Sequence, residues 1–251
     1  MEKKYKLTDE TINLNGATLY RIEALKDFGE IKKGDKGGFI ESENNLVHDG
    51  DAWVYDDAWV YDNARVSGNA HVYGEAWVYG SACVFGDACV FGCAFVYGNA
   101  HVSGDARVYG NARVSGYAQV YGNAIVYGDA RVYNNATVCN NARVCGNARV
   151  YDHACVHGDA RVYGDALVRG YACVYGDAEI SNKPDYIVFQ NWWSSGRYFT
   201  WTRSNNMWSV GCFYGTGEEL IKKAYKDSEL SGREYERIVK YVEEIRKDNG
   251  K

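Results

Sequence analysis

The chain has 251 residues, a net charge of -5 and 28 glycines against a single proline. The acidic balance argues against a general nucleic-acid binder held by phosphate neutralisation, and no apolar run approaches the ~20 residues of a membrane span. Glycine at this level with almost no proline signals regular tight turns, not a disordered linker.

Residues 1–50 read as an N-terminal β-hairpin cap. MEKKYKLTDET lacks the apolar core of a signal peptide, so the expected location is the cytoplasm and the eight cysteines are expected as reduced thiols. In TINLNGATLYRIEAL, residues 11–25, Asn15-Gly16 suits a type I′ turn between two alternating strands.

From Ala52, alanine recurs every six residues through Ala178, giving 22 hexads without an insertion. Two places after each alanine stands valine, from Val54 to Val174, with only Ile180 departing. An A-x-V-x segment alternates as a short strand, sending alanine and valine to one face and both x residues to the other. The G-N, G-D, N-N or D-N pair that follows tolerates a positive φ and can turn a corner. Three strands and three corners close an 18-residue coil. Stacked at ~4.8 Å, such coils make a parallel β-helix of about seven turns over residues 51–183.

Residues 184–251 begin at the sole proline, Pro184, and read as a small α+β cap or interaction domain. DYIVFQNWW, RYFTWTRS and MWSVGCFYG are expected as three strands. Thr216 with Glu219, and Ser231 with Glu234, give capping-box signals for two helices. In the second, Tyr235, Ile238, Val239, Val242 and Ile245 share one face and are expected to pack on the small sheet.

The hexads resemble those of the left-handed β-helix hexapeptide-repeat family, an aliphatic residue followed four places on by a small one, as in Val54 to Ala58 and Val60 to Ala64. GEIKKGDKGGFIESENNLVHDGDAWVYD at 29–56 resembles the N-terminal cap of YdcK-like proteins, named as transferases, and of phage and prophage proteins. WSVGCFYGTGEEL at 208–220 is similar to a C-terminal module of such phage proteins. The resemblance implies a mainly β fold, a left-handed parallel β-helix with three hexads per coil. It also implies a phage-type setting, in which the protein would act in the cytoplasm of the host cell.

With inward positions monotonous, function falls to the outward ones, and the 18-residue period sorts these into three sides. The first carries Trp59, Trp77, Phe95, Arg113, Arg131, Arg149 and Leu167 beside Tyr61, Tyr79, Tyr97, Ser115, Tyr133, Tyr151 and Arg169. Aromatic rungs giving way to stacked arginines make a flat face of hot-spot composition. This side is the expected binding face, for a homo-oligomer or a host protein, with inhibition of a host defence protein as the specific role. The competing account is that aromatic ladders merely stiffen the solenoid.

The second side runs Arg65, Cys83, His101, Gln119, Thr137, Cys155 and Cys173 beside Ser67, Phe85, Ser103, Tyr121, Cys139, His157 and Tyr175. No cofactor is expected, since stacked reduced cysteines commonly just pack. Zinc is the alternative, with Cys155, His157 and Cys173 as ligands and Cys139 too far along the stack to join them.

The third side alternates arginines with tyrosines, Arg107, Arg143 and Arg161 near Tyr73, Tyr109 and Tyr127. It is the place for the alternative of nucleotide or nucleic-acid binding, which acidic corner residues such as Asp129 and Asp165 disfavour. The array has no insertion to wall a pocket, and His71, His101 and His157 have no oriented partner evident in the sequence. No catalytic residue is therefore assigned. The enzymatic alternative is acyl transfer from acetyl-coenzyme A, which the family resemblance supplies.

Overall fold

A computed structural model describes residues 2–14 and 16–248. Between the two ends stand 22 strands of two residues each, from Trp53–Val54 to Glu179–Ile180, forming a parallel β-solenoid of about eight turns. Each strand pairs in parallel with the one 18 residues on, Trp59 opposite Trp77 and Cys155 opposite Cys173. The resulting ladder runs amide to carbonyl in one direction, as when the Trp77 N–H donates to the Ala94 carbonyl at 2.9 Å.

Alanines 52 to 178 and valines 54 to 174, with Ile180, are all buried. Side chains of that size fill a bore that three short strands can surround, which is why alanine and valine recur there. Corners follow each strand at a residue with positive φ, usually glycine, as at Gly86 (φ 74°). Asp56, Asp62, Asn134, Asn140 and Asp152 take the same conformation at φ 51–61°. Neighbouring corner side chains hydrogen-bond up the stack, Asn123 to Asn141 at 3.3 Å and Asn141 to Asp159 at 2.9 Å. Those bonds give the Asn/Asp ladder a structural job.

One-way hydrogen bonding leaves the first coil with unpaired carbonyls and the last with unpaired amides, and the two ends meet these needs with opposite chemistry. Strands β1 (Tyr5–Leu14) and β2 (Ala17–Ala24) form the expected hairpin, with Gly16 at φ 96°. The type I′ assignment rests also on Asn15, which lies outside the described residues. Strand β3 (Lys36–Ile40) joins β2 antiparallel and Trp59–Val60 in parallel, so the cap sheet is continuous with one side of the solenoid. Donors from this cap reach all three first-coil alanine carbonyls. Lys4 Nζ bonds Ala52 at 2.7 Å, the Phe39 N–H bonds Ala58 at 2.9 Å and Asn45 Nδ2 bonds Ala64 at 2.9 Å.

At the other end the cap offers acceptors. Thr200 Oγ1 takes the Cys173 N–H at 2.8 Å, Ser204 Oγ the Glu179 N–H at 2.7 Å and Asp185 Oδ2 the Ser181 N–H at 2.7 Å. Thr200 belongs to a four-stranded antiparallel sheet, Tyr186–Gln190, Tyr198–Thr202, Met207–Val210 and Phe213–Gly215, while Ser204 lies in one of its turns and Asp185 in the short 3-10 helix that leads into it. The sheet corrects the expectation of three strands. MWSVGCFYG breaks at Gly211, whose φ of 57° turns the chain into a further hairpin.

Helices α1 (Gly217–Asp227) and α2 (Glu229–Asp248) follow. Thr216 and Glu219 cap α1 reciprocally, as expected. The second capping box is not formed. Ser231 lies inside α2, and its N–H donates to Ser228 Oγ at 3.1 Å, so Ser228 ends one helix and starts the next. Tyr235, Val239 and Val242 pack with Phe199, Trp201, Trp208 and Leu220 in a second core, as the expected face requires.

Candidate functional site

The solenoid carries the first side's residues as a continuous column, Trp59, Trp77, Phe95, Arg113, Arg131, Arg149 and Leu167 in register. Trp59 and Trp77 stack at 4.6 Å with planes 18° apart, Phe95 meets Trp77 edge-on at 5.4 Å, and the Arg113 guanidinium lies 5.3 Å from the Phe95 ring. The neighbouring column is more regular. Tyr61, Tyr79 and Tyr97 stack at 5.1 and 5.0 Å within 4° of parallel, and Tyr133 and Tyr151 pair at 5.0 Å. Burial within this ladder pushes the Tyr61 hydroxyl up to about 12 and raises Tyr79 as well.

Arg113, Arg131 and Arg149 are exposed. Among the described residues none of the three has a carboxylate within ion-pair distance, whereas Arg161 on the third side reaches Glu179 at 3.6 Å. Like charges placed directly opposite on neighbouring strands repel, at about 0.2–1 kcal/mol per pair. The column is therefore a local positive strip, kept uncompensated on an acidic protein.

One feature of the third side escaped the sequence. Trp53 stands in an outward column but is buried, because the cap folds over it and sets Phe28 and Tyr5 against its ring at 5.3 and 6.1 Å. The longest continuous ring stack is also here, Tyr73, Phe91, Tyr109 and Tyr127 at 4.6, 4.7 and 5.1 Å. The 18-residue period sets these four rings in one column.

On the second side, Cys155, His157 and Cys173 come together, their sulfur and ring-nitrogen atoms all within 4.8 Å of one another. His157 Nε2 is 3.2 Å from Cys173 Sγ. This corrects the view that the histidines lack oriented partners, as does the 3.0 Å bond between His71 Nδ1 and the Tyr55 hydroxyl. Cys139 is buried one turn below His157 and lies outside that three-residue group, as the stacking implied. A hydrogen bond with Cys155 draws the Cys173 thiol well below its ordinary range, with His157 and Ser209 adding to the effect against burial. Cys155, between two thiols and half-buried, holds its proton more tightly than usual. The Tyr175 ring stands edge-on to His157 at 3.9 Å and covers it.

No curated protein matches the chain. A family model described as the YdcK beta solenoid repeat matches residues 58–74, 64–80, 106–118, 118–133 and 142–158, all within the coil. With the parallel stacking just described, these matches identify the chain as a β-solenoid repeat protein.

Proposed function

We propose that the protein is a non-catalytic scaffold, a left-handed hexapeptide-repeat coil that binds a partner through the side carrying Trp59. The observation that carries this reading is the uncompensated column of Arg113, Arg131 and Arg149 continuing the Trp59, Trp77 and Phe95 ladder on a flat face. Stacked aromatics explain themselves by stacking, but stacked unpaired arginines do not. A partner with acidic groups beside an apolar patch would neutralise the strip and cover the rings.

The partner is either a second copy or a host protein, and the resemblance of residues 29–56 and 208–220 to phage proteins favours the latter, with inhibition of a defence protein as the role. The cytoplasm is the compartment this reading requires. Residues 1–50 and 184–251 serve it as caps that keep the coil from stacking end to end. Solution mass across a concentration series, then capture of partners from host lysate, should differ between wild type and a Trp77→Ala/Arg131→Ala variant. Identical masses and identical captured proteins would overturn the proposal.

A further inference from the structure

We propose that Cys155, His157 and Cys173 form a binding site for one zinc-class divalent cation at the junction between the last coils and the C-terminal sheet. The warrant is geometric. A tetrahedral ion with Zn–S near 2.3 Å and Zn–N near 2.0 Å sets its ligand atoms roughly 3.5–3.8 Å apart. The three donor atoms here already lie within 4.8 Å of one another, with His157 Nε2 and Cys173 Sγ at 3.2 Å. Closure onto an ion needs adjustments of an ångström or less, by side chains that are only half-buried.

The backbone beneath them is fixed. Cys155 and Cys173 are directly opposed in a parallel ladder, and the His157 N–H donates to the Val174 carbonyl at 3.0 Å. Spacing in a solenoid is set by the ladder and not by loops, so the backbone beneath the two sulfurs keeps its separation. The C-terminal sheet supplies the outer support. Thr200 Oγ1 accepts the Cys173 N–H at 2.8 Å. Such supporting bonds orient ligands and typically account for 10- to 100-fold in affinity, on the order of magnitude seen at metal sites.

The donor set selects the ion. Two thiolates and an imidazole suit zinc and its borderline neighbours and disfavour magnesium or calcium. In the complex two thiolates balance the dication and His157 binds as neutral imidazole, so the site carries no net charge. Three protein ligands leave a fourth tetrahedral position for water or an added donor.

The test uses the full chain, reduced with a phosphine that does not bind metal. Zinc is titrated against a chromophoric chelator, and cobalt replaces zinc for spectroscopy. The expected result is one ion per chain and a thiolate-to-cobalt charge-transfer band. Cys173→Ser and His157→Asn, each checked for fold by circular dichroism, should each weaken zinc by more than roughly 100-fold, beyond what a lost supporting bond costs. Thr200→Val should weaken it by about 10-fold. The double variant Cys93→Ser/Cys212→Ser, which removes the two exposed thiols, should bind as wild type. Sub-stoichiometric zinc, a cobalt spectrum without thiolate bands, or unchanged affinity in folded His157→Asn would each overturn the site. The cobalt spectrum of the unaltered chain decides the matter even if Cys173→Ser fails to fold.

Discussion

Lys4 and Ala52 are joined by a buried hydrogen bond, ammonium to carbonyl, that closes one corner of the solenoid's carbonyl end. Asn45 does the same for Ala64 while also bonding the Asp62 carbonyl at 3.0 Å. Removing Asn45 leaves two carbonyls without donors, each an orphan costing about 1–3 kcal/mol. Asn45→Ala is therefore expected to destabilise the chain by about 2 kcal/mol or more in denaturant melts. Lys4→Met should cost less, since it also removes the cost of burying a charge. Both variants should associate end to end more readily than wild type in light scattering, because an open carbonyl edge is a template for another strand.

The same lysine gives the stability curve a recognisable shape above neutrality. Burial pulls its ammonium down to about 8 from 10.5, against the opposing fields of Asp51 and Asp49. A lysine whose folded value lies below its unfolded one binds fewer protons when folded, so stability rises with pH between about 8 and 10.5. Tyrosines act in the opposite sense. Burial pushes Tyr55 and Tyr61 to about 12, so they stay protonated when folded, and stability falls once unfolded tyrosines ionise above 10. Chemical denaturation from pH 7 to 11 should show a shallow rise and then a fall, and Lys4→Met should remove only the rise.

Corner glycines should divide by what lies over them. Gly170 sits at φ 67° with nothing near the place a Cβ would occupy, so Gly170→Ala costs only left-handed strain, about 1–2 kcal/mol. At Gly86 the added carbon would stand 2.9 Å from the Gly104 nitrogen in the next turn. Backbone cannot give way there without shifting the ladder, so Gly86→Ala should lower the melting temperature further than Gly170→Ala. Equal losses would show that the turns slide freely over one another.

How much of this was legible follows from the lattice the repeat imposes. A period of six with a super-period of 18 dictates each neighbour of Trp59, Arg131 and Cys155, because parallel stacking admits one register. The ends were not legible in that way. Lys4 is one basic residue among several in MEKKYK, and only the folded cap decides that it, and not Lys3, turns inward. Trp53 obeyed the repeat yet was covered by Phe28 and Tyr5, since a column is exposed only where no cap lies on it. Ser228 and Ser231 offer equal capping chemistry, and Glu234 gives Ser231 the box pattern although Ser228 is the residue whose hydroxyl receives the helix N–H. Column counting placed Cys155, His157 and Cys173 together, and it left open only the side-chain rotation that sets His157 Nε2 3.2 Å from Cys173 Sγ.

Stacking energy in the tyrosine column should scale with the number of ring neighbours. Tyr79 lies between Tyr61 and Tyr97, whereas Tyr97 has Ser115 on its far side and keeps one stacked neighbour. At about 0.5–1.5 kcal/mol per aromatic pair, Tyr79→Ala should lose about twice the stacking of Tyr97→Ala. Equal effects in paired denaturant melts would mean that burial of the single ring, and not the ladder, sets the stability.

Arg131 separates a structural role from a binding one. It is flanked in register by Arg113 and Arg149, so its charge faces like charges on both sides without a carboxylate to offset them. If the column serves only the solenoid, truncating it should lower stability and leave binding unchanged. Arg131→Ala is expected to raise stability by up to about 1 kcal/mol at low salt, since two repulsive pairs disappear at once. The gain should shrink as salt screens the wild type, over the range where the Debye length falls from about 30 Å toward 10 Å. Partner binding or self-association should weaken in the same variant. A variant that is more stable and less able to bind indicates that the arginines are held for recognition at a cost to the fold, while a loss of stability would show that they are supported by contacts along the column.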